Sequence, residues 1–175
     1  MPRNCGETTR RGPAVLASAE MPVCGPVMAL DYGTRRIGLA ISDVAGIIAF
    51  PAGALVSNGR ARDLEELRRL VADRGVQRIV VGLPIHMSGR KGETAQAAEK
   101  FANEVAKVTG LPVEMLDERW TTREAERALA ESKSGRRKRR EAVDSAAATL
   151  LLQTWLERAS NAAEAALQGA EADPG

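Results

Sequence analysis

Apolar and polar positions follow two different rhythms along this chain, and the change between them marks its plan. Val27-Met28-Ala29-Leu30-Asp31 is a short apolar run stopped by Gly33, which suits a buried strand. Ile37 to Ser42 continues as a second strand after a turn through Gly33, Thr34 and Arg35. Residues 47–56 form a third, with Pro51 marking a bulge or an edge. Strands this closely spaced imply antiparallel hairpins. The period then lengthens. Leu64, Leu67, Leu70 and Val71 line one face of a helix ending near Gly75. Ile79-Val80-Val81 is a strand closed by Gly82-Leu83-Pro84, and Ala97, Phe101, Val105 and Val108 mark a helix ended by Gly110. Val113 to Leu116 is a further strand, running into Asp117-Glu118. Thr121-Thr122-Arg123-Glu124 has the form of a capping box opening a third helix. Residues 134–140 break the pattern, and a fourth helix runs from about Val143 to Arg158.

The order is therefore three strands, then helix–strand twice, then two helices. Helical crossovers between the later strands imply parallel pairing. The fold class is α/β: a mixed five-stranded sheet, antiparallel in its first three strands and parallel in the later ones, with helices on both faces. In open sheets of this kind sites form beyond the carboxyl ends of the parallel strands. Asp31 ends one strand and Glu118 ends another, so the topology makes them candidates to meet.

Composition sharpens this plan at the two ends. The 175 residues suit one domain, and with 3% aromatic residues the core must be filled by Val, Leu, Ile and Ala. Residues 1–26 mix Pro, Gly, Arg and Thr without periodicity and read as a flexible arm. Residues 27–158 carry the domain, and residues 159–175 read as a frayed acidic tail. The arm has Arg3, Arg10 and Arg11 but no apolar segment after them, so a signal peptide is not expected. No apolar run is long enough to cross a membrane. A cytoplasmic location follows as the expectation, with Cys5 and Cys24 as reduced, exposed thiols. The net charge of +2 hides a division: +1 in the arm, −3 in the tail and +4 in the body, a mild basicity that suits a polyanionic partner.

Three acidic residues from separate segments carry the chemistry. Asp31 follows four apolar residues on a central strand, where a lone carboxylate is costly to desolvate unless paired or metal-bound. Taken singly, Asp31 could cap the Gly33 turn, Glu118 could form a surface ion pair, and Asp144 could cap a helix start. Together they aim three carboxylates at one sheet edge. Carboxylates are the hard oxygen ligands that Mg²⁺ and Mn²⁺ prefer. Two such ions ~4 Å apart can activate water and stabilise the leaving oxygen in phosphodiester cleavage. His86, the one histidine, is read as a solvated loop residue, and a Ser/His/Asp mechanism would have to use it.

Four segments resemble the motifs of the YqgF/RuvX family, in its order and spacing, over residues 27–157. They are Ala29-Leu30-Asp31-Tyr32-Gly33-Thr34-Arg35-Arg36-Ile37-Gly38-Leu39-Ala40, Val80-Val81-Gly82-Leu83-Pro84, Asp117-Glu118-Arg119-Trp120-Thr121-Thr122 and Asp144-Ser145-Ala146-Ala147-Ala148. The resemblance implies an RNase H-like fold related to Holliday-junction resolvases, and a role in maturing the 5′ end of precursor 16S ribosomal RNA. It places the family's metal carboxylates on Asp31, Glu118 and Asp144 and its Gly-Thr turn on Gly33 and Thr34. His86 departs from a pattern that often has Asn there.

Just before Asp144 stand five consecutive cations, Arg136-Arg137-Lys138-Arg139-Arg140, read either as a solvated loop or as a phosphate clamp beside the site. No aromatic residue interrupts them, so they offer no base-stacking platform. With Thr34, Arg35 and Arg119 they make up the expected substrate-binding set. The expected activity is metal-dependent endonucleolytic cleavage of precursor rRNA or branched DNA, by a monomer or homodimer using Mg²⁺ or Mn²⁺. Two other classes compete. An Asp-x-Gly-Thr turn also opens the phosphate loop of actin-like sugar kinases, but those need two lobes and more chain. A nucleic-acid-binding factor without catalysis, acting in transcription or ribosome assembly, would not need three carboxylates.

Overall fold

The computed structural model describes residues 15–16, 25–83, 92–117 and 136–171, and within them the run Val27–Leu30 takes the middle of a sheet. It lies in β2 (Val27–Tyr32), which pairs antiparallel with β3 (Arg36–Ser42) and parallel with β5 (Arg78–Leu83). Beyond β3 lies β4 (Ala49–Val56), antiparallel; beyond β5 lies β6 (Val113–Asp117), parallel. These are the five expected strands in the expected mix of directions. A sixth, β1 (Val15–Leu16), pairs parallel with β6 and gives the order β1-β6-β5-β2-β3-β4. It comes from the stretch read as a flexible arm. Two residues carry no period, so pairing of this kind depends on the open backbone edge of β6 and not on a local pattern.

Both faces of the sheet are covered. Helices α1 (Arg60–Asp73) and α2 (Glu93–Thr109) pack on Met28, Leu30, Ile37, Leu39, Ile79 and Val81. The third described helix, α3 (Arg136–Glu171), packs through Ala148, Leu151, Leu152, Trp155 and Leu156 on Val27, Ala29, Ala40 and Val80. The face of α2 differs from the expected one. Ala95, Ala98, Phe101, Ala102, Val105 and Ala106 are buried, Ala97 is half-buried, and Val108 is exposed. Alanine gives a weak hydrophobic signal, yet it lets a helix approach a sheet closely, so the alanines take the inner face.

The bounds of α3 correct two expectations. Residues from 136 are helical and do not break the pattern, and the stretch from 159 continues as helix through Glu171, not as a frayed tail. Arg, Lys and Ala are strong helix formers, and no Pro interrupts them here. Residues 161–165 are exposed, so propensity and not burial keeps them helical. The capping-box segment from Thr121 and the helix it would open lie outside the described residues.

Polar contacts fix α3 against the sheet. Glu114 on β6 is buried, bonds the Arg78 guanidinium, and accepts from Trp155 Nε1 at 2.9 Å. At the β3–β4 hairpin, Gln153 Oε1 accepts from the Ala49 N–H at 3.1 Å. The hairpin loop closes on Asp43, whose carboxylate accepts from the N–H groups of Ile48 and Ile47. Those bonds hold Asp43 below the usual carboxylate range. No helix among the described residues is long and apolar enough to cross a membrane.

Candidate active site

The carboxyl end of β2 sets the first acidic group. Side chains alternate along a strand. Met28 and Leu30 belong to the α1–α2 side of the core and Val27 and Ala29 to the α3 side, so Asp31 falls on the α3 face. Its register partner across the antiparallel pair is Gly38. That glycine is where α3 touches the sheet. A Cβ built on Gly38 would stand 2.1 Å from the Asp144 carbonyl oxygen and 2.7 Å from its carbonyl carbon. The missing side chain is what lets the helix backbone rest on β3. Asp144 is thereby brought beside the residue paired with Asp31, and both aspartates are half-buried.

The next residue of α3 holds this seat. Ser145 is buried; its hydroxyl donates to the Leu39 carbonyl at 3.1 Å and accepts from the Gly53 N–H at 3.1 Å. The second bond depends on a β-bulge. Leu39 pairs with Gly53 and Ala40 with Pro51, so Ala52 is the extra residue, as Pro51 led one to expect. Gly53 has φ +89°, a conformation suited to glycine, and the break in the ladder releases its N–H to the helix.

Asp144 lies eight residues beyond the first residue of α3. It is therefore inside the helix and not at its start, which removes the capping alternative. Arg36, on the α3 face at the start of β3, places Nη1 3.8 Å from Asp144 Oδ2. Thr34 and Arg35 are exposed in the β2–β3 turn, which the Gly33 N–H closes by donating to the Arg36 carbonyl at 2.9 Å. Of the other expected site residues, Arg136 to Arg140 lie in the opening turns of the helix that carries Asp144, and not in a loop. Glu118, Arg119, His86, Cys5 and Cys24 fall outside the described residues.

The donor set suits a hard divalent cation: Mg²⁺ commonly takes one or two carboxylates and keeps several waters. Among the described residues no three acidic, His or Cys side chains gather as a metal centre. On the opposite face of β2 a cavity of about 320 Å³ is lined by Tyr32, Thr34, Ser57, Arg60 and Asp63 among others. Its charged groups are already engaged: Arg60 with Glu104 at 2.6 Å, and Asp63 with Ser57 at 2.6 Å and the Asn58 N–H at 2.8 Å.

Sequence reasoning missed Gly38, Ser145, Gly53 and Arg36. A glycine inside a strand pattern does signal close backbone approach, so Gly38 was open to detection. Ser145 and Arg36 carry no local signal, since their roles depend on what the fold brings to them.

Residues 25–158 match the family model described as RuvX: Holliday junction resolvase. A Koribacter versatilis protein named "Putative pre-16S rRNA nuclease" is 46% identical over 136 residues, which covers 78% of this chain and 89% of that protein. A Chloroflexus aggregans protein of the same name is 42% identical over 135 residues, covering 77% and 95%. Among solved structures, Thermus thermophilus RuvC in complex with a Holliday junction substrate is 14% identical, with a TM-score of 0.48, covering 73% of this chain and 91% of that one.

Proposed function

The chain belongs to the RuvX family, and from that premise we propose that it is a metal-dependent endonuclease that hydrolyses phosphodiester bonds in structured nucleic acid. Its substrates are the 5′ end of precursor 16S rRNA, four-way DNA junctions, or both, and it works in the cytoplasm as a monomer or homodimer. The observation that carries this reading is the seating of Asp144 on Gly38, the register partner of Asp31. A nucleic-acid-binding factor would have no use for two acidic groups held together at one strand end, where they repel phosphate.

In this reading Asp31 and Asp144, with Glu118 as the third ligand, hold Mg²⁺ or Mn²⁺. The bound ion supplies charge to activate water and to stabilise the leaving oxygen. The rest is done by the chain. Ser145 and Gly38 hold the Asp144 backbone on β3, beside the register partner of Asp31. Thr34, Arg35 and Arg119 hold the sugar–phosphate backbone beside the carboxylates. Arg136, Arg137, Lys138, Arg139 and Arg140 attract it from the same helix that carries Asp144, with an affinity that falls steeply with salt.

The test is purified protein with Mg²⁺ or Mn²⁺, wild type against Asp31→Asn, on a four-way junction and a precursor 16S fragment side by side. Asn keeps the volume and loses the ligand charge. We expect cleavage of at least one substrate by wild type and none by the variant, with the variant's melting temperature equal or higher without metal. A normally active Asp31→Asn protein refutes the proposal.

A further inference from the structure

We propose that Arg36 is a further catalytic residue, which donates a hydrogen bond to a non-bridging oxygen of the scissile phosphodiester. The proposal rests on the reading of Asp31 and Asp144 as the metal carboxylates. It starts from a contrast among arginines. Where arginine serves the fold here, it bonds its carboxylate directly: Arg78 to Glu114, and Arg60 to Glu104 at 2.6 Å. Arg36 is held off. Its Nη1 stands 3.8 Å from Asp144 Oδ2, beyond the ~2.7–3.2 Å of a hydrogen bond. Among the described residues that nitrogen is buried without a hydrogen-bond acceptor. A guanidinium keeps its charge, so Nη1 remains a donor at any working pH.

Position supplies the acceptor's identity. Arg36 is two residues from Gly38 on the same strand and on the same face, so its head lies at the edge where Asp31 and Asp144 converge. Thr34 and Arg35 in the adjoining turn are exposed, and the Arg36 side chain itself is 23% exposed. An anionic oxygen arriving at the carboxylate pair with its metal would meet Arg36 through the part of its side chain that is exposed, and the buried Nη1 behind it has no other acceptor among the described residues. In the hydrolysis a water oxygen bonds to phosphorus, one bridging P–O bond breaks, and the water's protons pass to the leaving oxygen and to solvent. Arg36 transfers no proton. It stabilises the negative charge that builds on the non-bridging oxygens in the transition state, where a fixed donor counts most.

The test uses the full chain, with Arg36→Gln and Arg36→Lys, in single-turnover cleavage of a four-way junction and a precursor 16S fragment. Each substrate is made with oxygen, or with an Rp or Sp phosphorothioate, at the cleaved bond. For Arg36→Gln we expect a rate at saturating Mg²⁺ lower by roughly 10²–10³-fold, the usual effect of losing one such donor. The Mg²⁺ midpoint should stay equal or fall, because a cation beside the metal has been removed. Arg36→Lys should recover only a small part of the rate, since a point charge does not reproduce the planar fork. The rate penalty that sulfur causes in one diastereomer should shrink in both variants. A residue that merely steadied Asp144 would behave otherwise: lysine would restore the rate, the Mg²⁺ midpoint would rise, and the sulfur effect would not change. That pattern overturns the proposal. Arg36→Lys keeps the charge beside Asp144, so it decides the matter if Arg36→Gln does not fold. Asp31→Asn is run alongside. An active Asp31→Asn protein refutes the metal reading, whereas an inactive one beside a fully active Arg36→Gln refutes only the role of Arg36.

Discussion

Replacing Gly38 by alanine adds one carbon at the place where α3 meets the sheet. That carbon would lie 2.1 Å from the Asp144 carbonyl oxygen, where real contacts of this kind essentially never fall below 3.0 Å. The obstacle is backbone, so no side chain can swing away, and helix and strand must part by about 1 Å. Overpacking of this order costs about 1–3 kcal/mol. The opposing term is smaller, because alanine in a strand regains up to about 1 kcal/mol of the entropy that glycine loses on folding. The balance predicts a loss of up to about 2 kcal/mol, at roughly 2–4 °C of melting temperature per kcal/mol for a chain of this size. Activity should fall further than stability. A misplacement of about 1 Å between reacting groups can cost about 10²-fold in rate, and here it separates the two aspartates themselves. Thermal unfolding and cleavage at saturating Mg²⁺, measured on one preparation, check both effects. A variant with wild-type melting temperature and wild-type cleavage would mean that α3 does not rest on Gly38, and the account of the site would fail at its foundation.

Other perturbations probe separate parts of the same arrangement. Asp144→Asn keeps the side-chain volume within α3 and should change the melting temperature little, while Mg²⁺-dependent cleavage drops sharply and partly recovers at higher Mn²⁺. Near-normal cleavage at limiting Mg²⁺ would take Asp144 out of the site. Ser145→Ala strands the buried Leu39 carbonyl, at about 1–3 kcal/mol for an orphaned buried group, and leaves the N–H of the exposed Gly53 to water, so denaturant unfolding should show a loss and an unaltered midpoint would discredit the latch. Replacing all five cations at 136–140 with Gln should weaken every nucleic acid by a similar factor and flatten the slope of log K against log salt by about 3.5–4.5. An unchanged slope there would leave those residues without a phosphate role. Removing residues 1–24 should lower the melting temperature slightly, through loss of the β1–β6 pairing, without abolishing cleavage; an inactive truncated protein in reducing buffer would show that the segment serves the site.

Much of the fold could be read in advance because it depends on local period. The runs Val27–Leu30 and Ile79–Val81 are buried on both faces and declare themselves by composition alone, while Leu64, Leu67 and Val71 repeat at helical spacing. Pro51 announced a bulge or an edge, and β4 has both, because a missing N–H has to be accommodated somewhere along a ladder. Errors arose where burial and propensity separate. The basic stretch at 136–140 and the Ala-rich stretch after 158 look unlike core, yet polar and small residues are good helix formers, and α3 runs through both.

The sequence by itself offered the acidic residues as candidates and placed Asp31 at the end of a strand, since a carboxylate closing an apolar run is visible in one dimension. Only the tertiary structure decided which of them meet. Ser145 bonds partners 92 and 106 positions away, and Gly38 is indispensable only because Asp144, far along the chain, lies on top of it. Local patterns encode what a residue prefers for its own backbone. The close approach of helix to sheet depends on the absence of a single Cβ and on one N–H released by a bulge, and those quantities come into being only when distant segments pack.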